Sequence, residues 1–311
     1  MNEALIIGIV NWNTKDYLVS CLESILKNVH ELSYEVIVVD NNSSDGSSDM
    51  VKERFPWVRL IQNFSNACFA RANNQIFEVA SGDKFLILNP DVIIEKDAIA
   101  KMIHFLDSSA QSAAVCPKYL NPDGSFQRFY RRWPDIRVFL AYETKLLNIF
   151  PLLKKRILDA YHYSLAQDTF DKENDIVQPG ISCLMLKTAV FKDADLFDER
   201  FPLFFNDVDL CRRIYNKGYK IFYLPQAPVT HYLGKGRSLD RETEYKEFLV
   251  GWLRYFKKYS VFSYVCAQTI LICEFTLLTF INILAMVLCK KKNVGKNIRL
   301  RRDIVFNKSG F

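Results

Sequence analysis

The sequence predicts an α/β fold, a mostly parallel sheet flanked by helices on both faces, followed by a helical C-terminal extension. Three observations predict it. Short apolar runs alternate with segments of helical period through the first hundred residues. Each run ends in a polar residue, namely Asn11, Asp40, Asn63 or the Asn89–Asp91 turn, so those ends open on one rim, where ligands bind in open α/β sheets. Finally, half of the 311 residues are hydrophobic, enough for a sizeable core.

In order, Leu5–Val10 reads as the first buried strand, and Thr14 opens a helix with Leu18, Leu22, Ile25 and Leu26 at helical spacing. Glu35–Val39 is a second strand. Ser43, Ser44 and Ser47 around Gly46 make a turn into a short helix. Val58–Ile61 is a third strand, Phe69–Ala80 a helix and Phe85–Leu88 a fourth strand, broken by Asn89 and Pro90. Asp91 is left at its carboxyl end, before a helix over Glu95–Leu106. The middle, Gly124–Asn174, is less regular. Arg128, Arg131, Arg132, Trp133 and Pro134 form a basic, aromatic loop, and Val138–Leu158 reads as helical. Strand-helix alternation resumes from Val177 through Ala189. Asp207–Ile214 is a helix opened by acidic residues, as the helix dipole favours. Gly218 ends it, Tyr219–Leu224 is a strand, and a turn over Pro225–Pro228 leads to His231. The expected division is 1–240, with halves 1–92 and 93–240, and a helical region 241–311.

Charge is unevenly distributed. Of the net +6, the tail after Cys289 alone carries eight Lys and Arg against Asp303, leaving the rest near neutral. A basic nucleic-acid-binding domain is therefore disfavoured. The eight cysteines form no C-x-x-C pair, which points to reduced, buried thiols in a cytosolic compartment rather than a disulfide frame or zinc site. Met1-Asn2-Glu3 lacks the basic start of a secretory signal.

Val261–Cys289 is strongly apolar but interrupted by Gln268, Glu274 and Asn282. It has the length of a membrane span. However, Glu274 near mid-bilayer is costly, and cations on both flanks oppose sending the tail across. Helices lying in the cytoplasmic leaflet, with the tail on anionic headgroups, are expected. The alternative is a buried helix at a homo-oligomer interface.

At Asp91 two readings compete: a cap for the following helix, or a ligand for a divalent cation shared with substrate phosphates. The wider set of motifs favours the second. Asn11-Trp12-Asn13-Thr14, Val38 to Ser47, Asn66 with Phe69-Ala70-Arg71-Ala72-Asn73-Asn74, Leu88-Asn89-Pro90-Asp91 and Phe205 to Arg213 occur in that order. The series resembles the family 2 glycosyltransferases of GT-A fold, a Rossmann-like architecture, on the bacterial rhamnosyltransferase-like branch, over roughly residues 4–240. The resemblance implies roles residue by residue. Asp40 would accept from N3–H of a uracil or thymine ring, against a plain turn-forming role. Arg71 would lie beside the base or diphosphate, against a solvated helix position. Asn13 and Asn66 fall among the donor-binding motifs. Asn89 and Asp91 stand where the family has D-x-D, so the metal charge rests on Asp91, with Asn89 toward the ribose. Asp207 matches the catalytic base, against helix capping, although Asn206 replaces the acidic residue usual before it. Asp209 points to another helix face. His231 matches a metal-completing histidine, against a structural one, and Lys235 and Arg237 lie in a glycine-bearing loop able to cover the diphosphate, against an exposed linker.

The implied activity is inverting, Mn2+- or Mg2+-dependent transfer of a sugar, first L-rhamnose, from a dTDP- or UDP-linked donor. The implied acceptor is a lipid-linked or polysaccharide glycan at the cytoplasmic face of the inner membrane. Two rivals remain: a non-catalytic nucleotide-sugar-binding scaffold, motivated by Asn89 and Asn206, and a sugar-phosphate nucleotidyltransferase. The latter needs a glycine-rich basic loop after the first strand, and Asn11-Trp12-Asn13-Thr14 is not one.

Overall fold

Four short apolar runs become four parallel strands, in a computed structural model that describes residues 5–30, 32–108, 111–144, 146–162, 174–234 and 241–289. These are β1 (Leu5–Asn11), β2 (Tyr34–Asp40), β3 (Arg59–Gln62) and β4 (Lys84–Leu88), joined through α1 (Lys15–Asn28), α2 (Ser47–Arg54) and α3 (Cys68–Val79). Helices cover both faces, so β4 is buried along its whole length. The register pairs Asn11 with Asp40 and Asp40 with Gln62, which brings the polar strand ends to one rim as expected. Gly8 is required by packing here: a Cβ would meet the Phe85 ring at 2.7 Å.

Beyond Asp91 the structure adds what periodicity did not predict. β5 (Val92–Ile94) precedes α4, which begins at Ala98 (Ala98–Ser108) rather than at Glu95. β6 (Ser112–Leu120), not expected from the sequence, is an interior strand of the sheet. Within the basic loop, β7 (Tyr130–Arg131) pairs with β9 (Gln178–Pro179). The helix expected over 138–158 is two helices, α5 (Ile136–Glu143) and α6 (Pro151–Tyr161), separated by a 3-10 turn over Leu146–Ile149. Pro151 suits a first helical position, where no N–H is needed. After β8 (Asn174–Asp175) come β10 (Cys183–Lys187), α7 (Thr188–Asp193), α8 (Asn206–Asn216) and β11 (Lys220–His231).

The sheet order is β3-β2-β1-β4-β10-β6-β11-β5, with β8 on β11. The expectation of a mostly parallel sheet holds: β1 to β4, β6 and β11 run in one direction, and β10, β5 and β8 run against them. β10 runs antiparallel to both β4 and β6, and β11 antiparallel to β5 and β8. β11 does not stop at Leu224. A register shift between Leu224 and Pro228 absorbs the expected turn, and the strand continues to pair His231 with Val92.

The chain separates into two compact units, Met1–Trp133 with Asp159–Ser238, and Pro134–Leu158 with Leu239–Phe311. In the second, α5 packs Phe139 against Trp252 and Phe256 of α9 (Arg241–Tyr259), and α10 (Val261–Cys289) follows. Among the described residues no helix is long and apolar enough to cross a membrane. The cationic tail after Cys289 lies outside the described residues, as do Lys235 and Arg237. Among the described residues Cys21, Cys116, Cys183, Cys211, Cys266 and Cys273 are free thiols.

Candidate active site

The rim is built by short polar side chains that bind one another's loops. Asn11, at the end of β1, donates to the Asp40 carboxylate at 2.7 Å, and the Ser43 hydroxyl and N–H add bonds of 2.7 and 3.0 Å. Asp40 is thereby held buried, with three of its four acceptor positions used. Asn13 takes a left-handed backbone (φ 53°), which asparagine tolerates, and its amide oxygen accepts the Ser44 N–H at 2.7 Å. The β1–α1 and β2–α2 turns are thus fastened into one rigid wall. Asn66 accepts the N–H of Cys68 at 2.8 Å and so shapes the entry to α3. Arg71, on α3, pairs with Glu78 at 2.7 Å and Glu199 at 3.4 Å and is partly exposed. Glu78, first among the causes, pushes its guanidinium pKa up.

One residue past the Asn89-Pro90 break, Asp91 lies buried opposite His231, with Nε2 3.6 Å from the carboxylate Oδ1. β11 delivers the histidine, and the N–H of Tyr232 donates to the Asp91 carbonyl at 2.9 Å. Gln127 sets the ring's protonation pattern. Its amide nitrogen donates to the His231 carbonyl at 3.1 Å and to Asn121 Oδ1 at 2.8 Å. Its oxygen therefore faces Nδ1 at 2.7 Å, which makes Nδ1 the protonated nitrogen. In the neutral ring Nε2 then presents a lone pair toward Asp91. A carboxylate and an imidazole lone pair at this spacing suit a divalent cation that takes its remaining ligands from phosphate and water. Among the described residues no group of three or more His, Cys, Asp or Glu side chains could hold an ion by itself. Asn89 donates to the Ser182 hydroxyl at 3.1 Å. Cys21 lies beside Asp91, and burial, then the Asp91 charge, push its thiol pKa far up, keeping it neutral.

The histidine is walled by aromatic rings. Phe129 and Tyr119 lie 5.2 and 5.7 Å from it between ring centres. The Tyr119 hydroxyl accepts the Cys183 N–H at 2.8 Å and donates to a carbonyl of Gly180 or Cys183, at 2.9 and 2.8 Å. Gly180 leaves room for Phe129, since a Cβ there would fall 1.7 Å from the ring.

Asp207 is in the first turn of α8 and half-buried, accepting the Val208 N–H at 2.8 Å. Asp209 is fully buried and ion-paired with Arg213 at 2.8 Å, which removes it as a base accessible to substrate. The segment leading into α8 is tied to α3: Phe69 N–H donates to the Pro202 carbonyl at 3.1 Å, and Asn74 exchanges two 3.0 Å bonds with the Phe197 backbone. The structure thus brings Asn13 to the Asp40 turn, Asp91 to His231, and Arg71 to Glu199. Sequence reasoning missed Asn11, Ser43, Gln127, Phe129 and Tyr119 as supports. Gln127 carried no local signal, because its partner is 104 positions away.

Residues 6–169 match the sequence profile described as glycosyl transferase family 2. Among similar proteins is the N-acetylglucosaminyl-diphospho-decaprenol L-rhamnosyltransferase of Mycobacterium tuberculosis, 26% identical over 253 residues, 78% of this chain and 80% of that protein. Rhamnosyltransferase WbbL of Escherichia coli is 21% identical over 234 residues, 72% of this chain and 81% of that protein. Two solved structures share the fold. Mannosyltransferase PcManGT from Pyrobaculum calidifontis, in complex with GDP-Man and Mn2+, has a TM-score of 0.57 at 13% identity and covers 99% of this chain and 89% of its own. GalNAc-T7 with UDP, GalNAc and Mn2+ has a TM-score of 0.59 at 13% identity; 84% of this chain aligns, and the chain spans about half, 49%, of that protein.

Proposed function

The chain belongs to glycosyl transferase family 2, and from that premise we propose that it is an inverting, metal-dependent glycosyltransferase using a dTDP- or UDP-linked sugar, L-rhamnose first. The observation that carries this reading is the Asp91–His231 pair, oriented by Gln127 at the carboxyl rim of the parallel strands. Those two residues would hold Mn2+ or Mg2+, which neutralises the leaving diphosphate when bound. Asp40, on its remaining acceptor position, would read N3–H of the base; Asn13, Asn66, Arg71 and Asn89 would line the donor side, and Lys235 and Arg237, outside the described residues, are the cations proposed to meet the diphosphate. Asp207 takes the proton of the acceptor hydroxyl as that oxygen bonds to the anomeric carbon. The bond from that carbon to the diphosphate oxygen breaks on the opposite face. Asn206 leaves the base without a second carboxylate beside it. The membrane reading belongs here as well: a lipid-linked glycan acceptor at the cytoplasmic face of the inner membrane, with α10 and the cationic tail on anionic lipid, serving cell-envelope polysaccharide synthesis. The similar decaprenol-linked rhamnosyltransferase supports it.

The test pairs binding with turnover. Thermal-shift titration of dTDP- and UDP-sugars should show stabilisation that increases with Mn2+, and Asp91→Ala should lose that increment. Nucleoside diphosphate release on adding acceptor should occur with the wild type and fall by orders of magnitude in Asp207→Asn, with donor binding retained. Binding without release in the wild type, whatever the acceptor, would instead make the chain a nucleotide-sugar-binding scaffold.

A further inference from the structure

The second unit presents an apolar projection that the family reading does not use. After α5 the chain makes the 3-10 turn over Leu146–Ile149 and enters α6 at Pro151. Four large apolar side chains within five positions point outward: Ile149 is 74% exposed, Phe150 60%, Leu152 78% and Leu153 49%. Single exposed apolar residues carry no meaning, but a contiguous group does. Cations follow at once, Lys154, Lys155 and Arg156. Lys154 folds back to Asn148 at 2.7 Å, so its ammonium is held over the turn and the apolar tip stays outermost.

α10, in the same unit, offers a second apolar surface. Its exposed Val261, Phe262, Val265, Ile272, Leu277 and Phe280 fall within an arc of about 160° at 100° per residue. Buried Ser263, Ala267 and Leu271 occupy the opposite arc, and Glu274 falls with them by the same count. The outward face of the described part of α10 is therefore free of charge, although the helix as a whole is interrupted by polar residues.

We infer that the Ile149–Leu153 projection is a membrane-inserting hook, docking on an anionic lipid surface through its apolar tip and the Lys154–Arg156 collar. An apolar tip followed at once by cations matches a bilayer interface, where side chains enter the acyl boundary and cations meet headgroup phosphates. It does not match a protein interface, whose centre is depleted of lysine. The inference adds a second membrane element, contributed by the middle of the chain, to the contact proposed for α10 and the tail. It rests on that membrane reading but not on the sugar chemistry.

Full-length protein is co-sedimented with vesicles of phosphatidylcholine alone or with added phosphatidylglycerol. The wild type is expected to pellet with the anionic vesicles. Ile149→Ser with Phe150→Ser, and separately Lys155→Gln with Arg156→Gln, should each weaken partitioning about tenfold or more. Nucleoside diphosphate release on a soluble acceptor, unchanged in both variants, shows that they fold and reports the catalytic reading separately. Phe150→Trp should gain fluorescence quenching by brominated lipid beyond that of the native tryptophans. Wild type that pellets equally well with and without these substitutions would overturn the hook while sparing the α10 contact. Wild type that does not pellet would overturn both. Self-association that Ile149→Ser with Phe150→Ser abolishes, without lipid binding, would make the projection a contact between copies.

Discussion

Gln127 is the sharpest test of the site, because its effect must pass through His231. Replacing it with leucine keeps the volume but removes the acceptor 2.7 Å from Nδ1 and the donor to the His231 carbonyl at 3.1 Å. A buried N–H left unpaired costs about 1–3 kcal/mol. At about 2–4 °C per kcal/mol for a unit of this size, Tm should fall by about 2–12 °C. The greater effect is on the histidine itself. Without Gln127 the proton is no longer confined to Nδ1, and the Nε2 lone pair facing Asp91 is lost in a share of molecules. Outer partners of metal-binding histidines typically contribute about 10–100-fold in metal affinity. The assay is Mn2+ titration in the presence of UDP or dTDP, read by thermal shift. Gln127→Leu should move the midpoint to higher Mn2+ by that factor, and Gln127→Glu, which still accepts from Nδ1–H, should recover most of it. A Gln127→Leu midpoint equal to that of the wild type would refute the argued role of His231, whatever happened to Tm.

Other expectations follow from neighbouring contacts. Gly180→Ala puts a methyl 1.7 Å from the Phe129 ring and should destabilise by at least the about 1–3 kcal/mol usual for overpacking, measured as a lower urea midpoint. An unchanged midpoint would mean that Phe129 can leave His231 without penalty. Asp209→Ala strands the largely buried Arg213 and should cost about 3–5 kcal/mol in chemical denaturation, with partial recovery when Arg213→Met is added. For Asp45, burial pushes the carboxyl pKa up, but bonds from the Ser47 hydroxyl and the N–H groups of Lys15 and Ser47 outweigh it and hold the pKa below the usual value. A depressed folded-state pKa contributes stability above the unfolded value of about 3.9 and loses it as pH falls through the folded one. The stability gap between wild type and Asp45→Asn, read by chemical denaturation, should therefore narrow below about pH 4, and since the group is exposed the gap at neutral pH should stay under about 1 kcal/mol. A gap that widens on acidification would contradict the assigned hydrogen bonds.

How much could be read in advance depended on the range of the interaction. The first four strands were legible because each is a local apolar run closed by a polar residue, and helical crossovers leave parallel order as the ordinary outcome. Asp91 was legible for the same reason, as a carboxylate stranded at a strand end. β6 was not: Ser112–Leu120 owes its interior place to β10 and β11, which lie 70 or more positions downstream. The path to His231 was misread because a register shift looks, in sequence, like a turn.

By itself, then, the sequence determined the class of fold, the polar rim and the family, because these depend on local periodicity and on ordered motifs. Only the tertiary structure decided that Gln127 orients His231, that Asp209 belongs to Arg213, that β10 runs against the strands on either side of it, and that residues 134–158 join the C-terminal helices. These are pairings between groups far apart in the chain. A side chain's protonation, burial and partner depend on what the fold brings against it, and no local pattern encodes that.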